Sequence, residues 1–325
     1  MKKLRYILAA ILVLTVLGGC GRSAVPARPE KLPGTTGTAP VLEPTTEPPA
    51  ASVEPETEAP AESDSLRYEP DTEDPDREFY LGDIRELLER PASAYADHVF
   101  SHQGTAKEEP SETFAAYDLA IAYGSRYIEQ DLVISADGVF YCSHDLSPEA
   151  LTGEPRLFSE LTSRQIDELR TSDGGQRLLK LTDVFDRYGK SVTYVIELRM
   201  SLTTIRSFLQ LVEEYGMQDH IIVQASYLWD LRQVEAVFPD MPKMILAFDP
   251  DTFDAALHED CVDYICVAAD HFDQESCNQV HAAGKMYCVA VLNGAGGIRK
   301  AIEMGADCYF TDYTAKALVL EELYR

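Results

Sequence analysis

The sequence predicts an α/β fold: a (β/α)8 TIM barrel with a β-hairpin and a helical insertion after its second strand. Three observations carry the prediction. Eight short β-rich runs alternate with helical stretches after residue 95, several of those stretches end in glycine, and no Gly-rich phosphate loop follows the first run. Alternation of this kind requires a parallel sheet, and eight units are the number that closes a barrel. An open doubly wound sheet is the runner-up, but it would carry a Gly-rich turn after its first strand.

The 325 residues have a formal net charge of −27, 45% hydrophobic residues and a mean hydropathy of −0.18. One apolar run excludes a polytopic membrane protein. The acidity excludes nucleic acid as the partner, because binding a phosphate backbone draws on surplus Lys and Arg.

Residues 1–19 read as an address. Lys2, Lys3 and Arg5 form a positive region, residues 6–17 an apolar run too short to span a bilayer, and Leu17-Gly18-Gly19-Cys20 a small-residue cleavage site ending in cysteine. This resembles a bacterial lipoprotein signal. The resemblance implies cleavage before Cys20, lipidation of Cys20 and an extracytoplasmic domain anchored to the cell membrane; an ordinary secretory peptide is the alternative. Residues 20–78 read as a tether, since the segment holds eleven of the eighteen prolines and little that could offset the entropy of ordering it. Repeated Pro and acidic side chains keep such a segment extended.

With +3 in the signal and −9 in the tether, residues 79–325 keep −21. An anionic substrate would be repelled from afar, so a site for it must supply local positive charge, as a bound divalent cation does. Apart from Cys20, six cysteines remain: Cys142, Cys261, Cys266, Cys277, Cys288 and Cys308. Four of them lie in or beside apolar strand-like runs, which favours free buried thiols over bridges. No Cys/His spacing suggests zinc.

Residues 79–95 read as a helix near the barrel mouth or floor. The strand runs are 99–102, 127–131, 193–198, 221–225, 244–248, 264–268, 286–292 and 307–311; the helical patterns between them include 113–123, 202–215, 228–238, 274–283 and 298–304. One segment breaks the rhythm. Between Asp131 and Asp145, two strand-like pieces meet at Asp137-Gly138, a turn too short for parallel strands, so an antiparallel hairpin is expected. It should rise above the second strand and bring His144 back to the level of Glu129 and Asp131. The insertion as a whole spans about 132–190.

Glu129 and Asp131 are two residues apart, so a strand points both to one side; Glu197 and Arg199 repeat the device on the third strand. In a barrel that side is the interior mouth. Three carboxylates converging there need a cation between them, and all-oxygen ligation selects Mg²⁺, Ca²⁺ or Mn²⁺. His102 and His144 end strands on the same rim. Two imidazoles beside a divalent cation offer a general base and a general acid, a set suited to phosphodiester cleavage.

At these residues the sequence resembles the glycerophosphodiester phosphodiesterase family. The motifs are Ser101-His102-Gln103-Gly104, Pro110-Ser111-Glu112-Thr113, Ile128-Glu129-Gln130-Asp131, Ser135-Ala136-Asp137-Gly138, Ser143-His144-Asp145, Val195-Ile196-Glu197-Leu198-Arg199, and Gly305-Ala306-Asp307 through Thr311-Asp312. The resemblance implies a TIM barrel, a divalent cation (Ca²⁺ or Mg²⁺) at Glu129, Asp131 and Glu197, and acid/base histidines at His102 and His144. It also implies an alcohol and glycerol 3-phosphate as products. One histidine would take a proton from the substrate's own neighbouring hydroxyl and the other would protonate the departing alcohol.

Departures from the family pattern bear on the substrate. Gln103 stands where the family has an arginine, so a charge-assisted phosphate contact becomes a neutral one. Ser111-Glu112-Thr113 replaces Glu-Asn-Thr, Arg199 replaces a lysine, and Ala290 stands where a tryptophan is usual. Gln103 and Arg199 are the expected phosphate contacts. The partner is a small phosphodiester or lipid headgroup. Two other readings stay open: a lyase that stops at the cyclic phosphate, resembling sphingomyelinase D, and a non-catalytic barrel that binds an anionic polymer. Asp312 and Asn293 could line the mouth or cap helices. His98, His220, His258, His271 and His281 read as surface or satisfied histidines, and Trp229 as packing.

Overall fold

The structure, a computed structural model, describes residues 84–172, 175–199 and 202–325. The expected signal, Cys20 and the whole of the expected tether (20–78) lie outside the described residues. Among the described residues, no helix is long and apolar enough to cross a membrane.

Among the described residues, nine strands form one sheet: β1 (Val99–Ser101), β2 (Tyr127–Ile134), β3 (Phe140–Cys142), β4 (Thr193–Leu198), β5 (Ile221–Ala225), β6 (Lys243–Leu246), β7 (Tyr264–Ala268), β8 (Met286–Ala290) and β9 (Cys308–Thr311). All but β3 are parallel neighbours in chain order, and β1 pairs with both β2 and β9, so eight strands close into a barrel. The predicted fold class is the observed one. Closure leaves no open edge among those eight strands; β3 lies outside them, paired to β2 alone.

The helices are α1 (Ile84–Glu89), α2 (Phe114–Ala122), α3 (Glu149–Thr152), α4 (Ser163–Ile166), α5 (Leu181–Tyr188), α6 (Leu202–Tyr215), α7 (Leu228–Glu235), α8 (Pro250–Leu257), α9 (Gln274–Ala282), α10 (Ala295–Met304) and α11 (Thr314–Tyr324). Two points differ from the sequence reading. The insertion is shorter than 132–190, because α5 is the barrel's own crossover helix between β2 and β4. Helices α8 and α11 lie where no helix was marked. The cues for α8 were present: Asp249 caps it by accepting a hydrogen bond from the Thr252 amide at 2.9 Å, and Pro250 takes the first helical position.

Strand alternation sorts side chains into two layers. Phe100, Val195, Ile222, Met244, Leu246, Cys266, Cys288, Cys308 and Phe310 fill the barrel interior. Ile128, Tyr194, Ile196, Val223 and Ile245 face the helices in the larger outer layer. There the Phe185 ring meets Tyr194 edge-on, with centroids 5.0 Å apart. All six described cysteines are free thiols, and only Cys261 is not fully buried. Helix α1 belongs to the floor: Arg126, just before β2, donates to the Arg90 carbonyl at 2.8 Å, and the Ser93 amide donates to the Gly124 carbonyl at 3.0 Å.

The hairpin forms as expected. Strand β3 pairs antiparallel with the upper half of β2 (Leu132↔Cys142, Val133↔Tyr141, Ile134↔Phe140). Asp137 locks the turn by accepting from the Ser135 hydroxyl and the Ser163 amide, both at 2.7 Å. Val133, Tyr141, Phe158, Leu161, Ile166 and Leu178 give the excursion a small core of its own. The Ser143 amide then donates to the Asp131 carbonyl at 2.8 Å, which sets the chain at His144 beside the upper end of β2.

Gly104, directly after the His102-Gln103 pair, has φ +89°, and a Cβ there would lie 2.6 Å from the Ala116 Cβ and 2.8 Å from its carbonyl carbon. That close approach seats the β1 loop on α2. Gly104→Ala is therefore expected to cost at least about 2 kcal/mol of stability, from left-handed backbone strain plus the clash. Urea unfolding measures it, and an unchanged midpoint would show that the contact does not hold the loop.

Candidate active site

Glu129 and Asp131 sit on β2 with side chains turned into the barrel mouth, and register puts Asp131 opposite Glu197 on β4 and Glu197 opposite Gln224 on β5. Three neighbouring strands thus carry one polar layer above the apolar interior. Glu129 and Asp131 are buried. Glu129 accepts from the Gln103 amide at 2.8 Å and from the Gln224 side chain at 3.0 Å. Asp131 accepts from the Gln103 side chain at 2.9 Å through Oδ2, while its buried Oδ1 accepts no hydrogen bond among the described residues.

Glu112, in the loop before α2, joins this layer from the side. Its Oε1 accepts from the Asp131 amide at 2.9 Å and its Oε2 from the Tyr117 hydroxyl. Glu112, Glu129 and Asp131 each bring an oxygen within 4.8 Å of the others, close enough for one ion. The expected triad had Glu197 in place of Glu112. Glu197 instead stands beside Asp131 with Arg199 on its other flank, the guanidinium lying 3.2 Å from Glu197 Oε1 and 3.7 Å from Asp131 Oδ1.

The electrostatics follow from burial. Desolvation, and then the charge of Asp131, push the Glu129 and Glu112 carboxyls well above the usual range. The same causes push Glu197 up to about 8, with Arg199 opposing them. Crowded carboxylates of this kind hold their charge only beside a cation. The oxygen-only donor set and the bare Asp131 Oδ1 fit a hard divalent ion.

His102 and His144 face the same cavity, of about 380 Å³, which Glu129, Asp131, Glu197, Arg199 and Gln224 line on one side and Leu246, Phe248, Ala290, Val291 and Phe310 on the other. That volume admits a small molecule. His102 Nδ1 lies 2.7 Å from Asp312 Oδ1. Asp312 is fixed in turn by the Asn293 side chain, which donates to Oδ2 at 2.7 Å and accepts from the Asp312 amide at 2.9 Å. Burial works to raise the Asp312 pKa, but hydrogen bonds from His102 and Asn293 and the nearby charge outweigh it, so the group stays a carboxylate. A carboxylate only accepts, so His102 Nδ1 carries a proton, and in the neutral ring Nε2 is then the acceptor. His144 Nδ1 stands 3.0 Å from Asp145 Oδ1 on an exposed stretch.

The structure therefore brings His102, His144, Glu129, Asp131, Glu197 and Arg199 to one cavity. Gln103 it does not: its side chain is buried and spent on Asp131 rather than turned to where a phosphate would sit. Of the two expected phosphate contacts only Arg199 lines the cavity, and its buried Nε makes no hydrogen bond among the described residues. Glu112 and Gln224 were missed. Gln224 shares a strand face with Ile222, a cue available from alternation alone, whereas Glu112 lies in a loop with no period to read. Asn293 and Asp312 resolve to the mouth, and Trp229 is exposed rather than packed. His98 and His281 bond Asp307 far from the cavity, as structural histidines do.

A model of the glycerophosphoryl diester phosphodiesterase family matches residues 102–316. Over 154 residues the chain is 24% identical to a glycerophosphodiester phosphodiesterase of Caldanaerobacter subterraneus subsp. tengcongensis, covering 44% of this chain and 63% of that protein. It spans 63% and 65% of the length of two curated relatives that it matches. Among solved structures, the fold resembles a glycerophosphodiester phosphodiesterase of Agrobacterium tumefaciens (TM-score 0.61, 21% identity, covering 69% of this chain and 99% of that one). It also resembles an Oleispira antarctica phosphodiesterase in complex with the product sn-glycerol-3-phosphate (TM-score 0.64, 18% identity, covering 72% and 100%).

Proposed function

The chain belongs to the glycerophosphoryl diester phosphodiesterase family, and from that membership we propose that it hydrolyses a glycerophosphodiester to an alcohol and a phosphomonoester of the glycerol 3-phosphate type. The observation that carries the reading is the meeting of two imidazoles, a carboxylate layer and Arg199 around one cavity. A divalent cation, Ca²⁺ or Mg²⁺, held by Glu129, Asp131 and Glu197 would neutralise the phosphoryl charge and acidify the attacking hydroxyl.

The chain's own residues divide the remaining work. Arg199 binds and orients the phosphoryl oxygens. His102, pinned by Asp312 with Nε2 free, takes the proton of the attacking hydroxyl. His144, on the exposed lip, gives a proton to the alcohol that leaves toward solvent. Water then opens the cyclic phosphate, losing its proton to His144 while His102 returns its own to the ring oxygen, so both imidazoles end as they began. Incubating the chain with a panel of glycerophosphodiesters, with Ca²⁺, Mg²⁺ or chelator, tests the reading; cation binding with no turnover of any phosphodiester would sink it. Phosphorus NMR of the products separates hydrolysis from arrest at a cyclic phosphate.

Asp312→Asn should lower kcat by about ten- to a hundredfold, because the amide can present its donor to His102 and favour the wrong tautomer. Steady-state kinetics beside a cation titration check it: the expected result is lost turnover with cation affinity unchanged, and full turnover would show that Asp312 does not orient His102. Export and lipid anchoring through Cys20 belong to the same proposal. Replacing Cys20 with Ser should move the protein from the membrane fraction to the soluble one, and retention at the membrane would refute the anchor.

A further inference from the structure

We propose that Gln103 and Glu112 are positioning residues of the cation site, a buried bracket that aims Asp131 and Glu129 without ligating the ion. The inference rests on the divalent-cation reading above. Gln103 gives one hydrogen bond to each of the two β2 carboxylates: its backbone amide to Glu129 Oε2 at 2.8 Å and its side chain to Asp131 Oδ2 at 2.9 Å. Glu112 closes the bracket, donating its amide to the Gln103 carbonyl at 3.1 Å and accepting the Asp131 amide at 2.9 Å. Both residues are buried, and neither lines the cavity.

Access to the cavity separates bracket from ligand: Glu129, Asp131 and Glu197 line it, and Glu112 does not. Both Glu112 oxygens already accept, from the Asp131 amide and from the Tyr117 hydroxyl. On Asp131, Oδ2 is taken by Gln103, while Oδ1 accepts no hydrogen bond among the described residues and has only the Arg199 guanidinium nearby, at 3.7 Å. The bracket therefore holds one oxygen of Asp131 and leaves the other for an ion. Gln103 and Glu112 also carry φ of +50° and +57°, a conformation that side chains other than glycine seldom adopt. Tyr117, at the start of α2, ties the bracket to the barrel wall, so an outer helix sets the aim of a carboxylate in the mouth.

Calorimetric titration of the metal-stripped full chain with Ca²⁺, and separately with Mg²⁺, tests this. Gln103→Ala and Glu112→Ala should each weaken cation binding about ten- to a hundredfold, the usual effect of removing a ligand's support. Glu112→Gln keeps an acceptor for the Asp131 amide and lets the Tyr117 hydroxyl accept in turn, so its affinity should stay within about threefold of the wild type. Thermal unfolding of the metal-free variants accompanies each titration, and should Glu112→Ala not fold, Gln103→Ala decides, since it removes one side-chain amide only. Wild-type affinity in the alanine variants would overturn the bracket. Glu112→Gln falling as far as Glu112→Ala would overturn it too, since charge and not position would then matter. A wild-type chain that binds neither cation would overturn the cation reading and this inference with it.

Discussion

His102→Ala should lower kcat by about a hundredfold or more on any glycerophosphodiester that the wild-type chain turns over, the cost of losing a placed general base. The size of the effect follows from how firmly the ring is held. Nδ1 is bonded to Asp312, Asp312 is bonded twice by Asn293, and Nε2 has the cavity before it. Alanine leaves the carboxylate layer and Arg199 in place, so cation affinity should not move and KM should change little. His144→Ala should cause a comparable loss on substrates with poor leaving alcohols and a smaller one on an aryl phosphodiester, whose leaving group needs no proton. Wild-type rates in the His102 variant would remove its role. Equal losses on both substrates in the His144 variant would move that residue from acid to another task.

Asp131→Asn is the second large expectation. Asp131 is the carboxylate with a bare buried oxygen, and it touches Gln103, Glu112 and the Arg199 guanidinium at once. The amide has the same shape but no charge, so the loss should be electrostatic: turnover down by about a thousandfold, at the upper end for one charge-stabilising group in a dry site, with cation affinity down as well. A chelator should abolish wild-type turnover and added Ca²⁺ or Mg²⁺ should restore it. Hydrolysis that ignores the chelator would refute the metal role of the whole layer.

The raised carboxyls also set a pH dependence for the metal-free protein. Glu197, ordinarily near 4.5, stands at about 8 in the fold through burial and the neighbouring Asp131. The folded state thus binds more protons than the unfolded one between those values, so stability is greatest below about 4.5 and declines as pH rises toward 8. Melting the metal-free protein and Glu197→Gln in parallel across that window isolates the contribution: the wild-type decline should shrink in the variant, and the same slope in both would show that Glu197 is not the source.

Much of the architecture was legible because barrel strands and helices have short, regular periods. The runs at 193–198, 221–225 and 264–268 are β4, β5 and β7 to the residue, and α6 begins and ends where its pattern does. Failures came where the cue was local and not periodic. Helix α8 announces itself through Asp249 and Pro250, not through a stripe, and α11 distributes Ala317, Leu318, Val319 and Leu323 around its circumference. Helix α5 was folded into an insertion because the hairpin before it disguised where the barrel resumed.

By itself, the sequence determined the alternation that makes a closed barrel, and the strand positions that send Glu129, Asp131 and Glu197 to its mouth with His102 and His144 on the rim. Period-two geometry puts Glu129 and Asp131 on one face of their strand, and the ends of the neighbouring strand runs put the two histidines near it. Only the tertiary structure decided that Glu112 comes closer to Glu129 and Asp131 than periodicity could indicate, that Gln103 turns to Asp131 instead of to the cavity, and that Asn293 and Asp312 hold His102. Each of those choices is made by loop backbone, two residues of it at positive φ, and by hydrogen bonds between segments far apart in the chain. Such contacts have no period, and exist only once the barrel has closed.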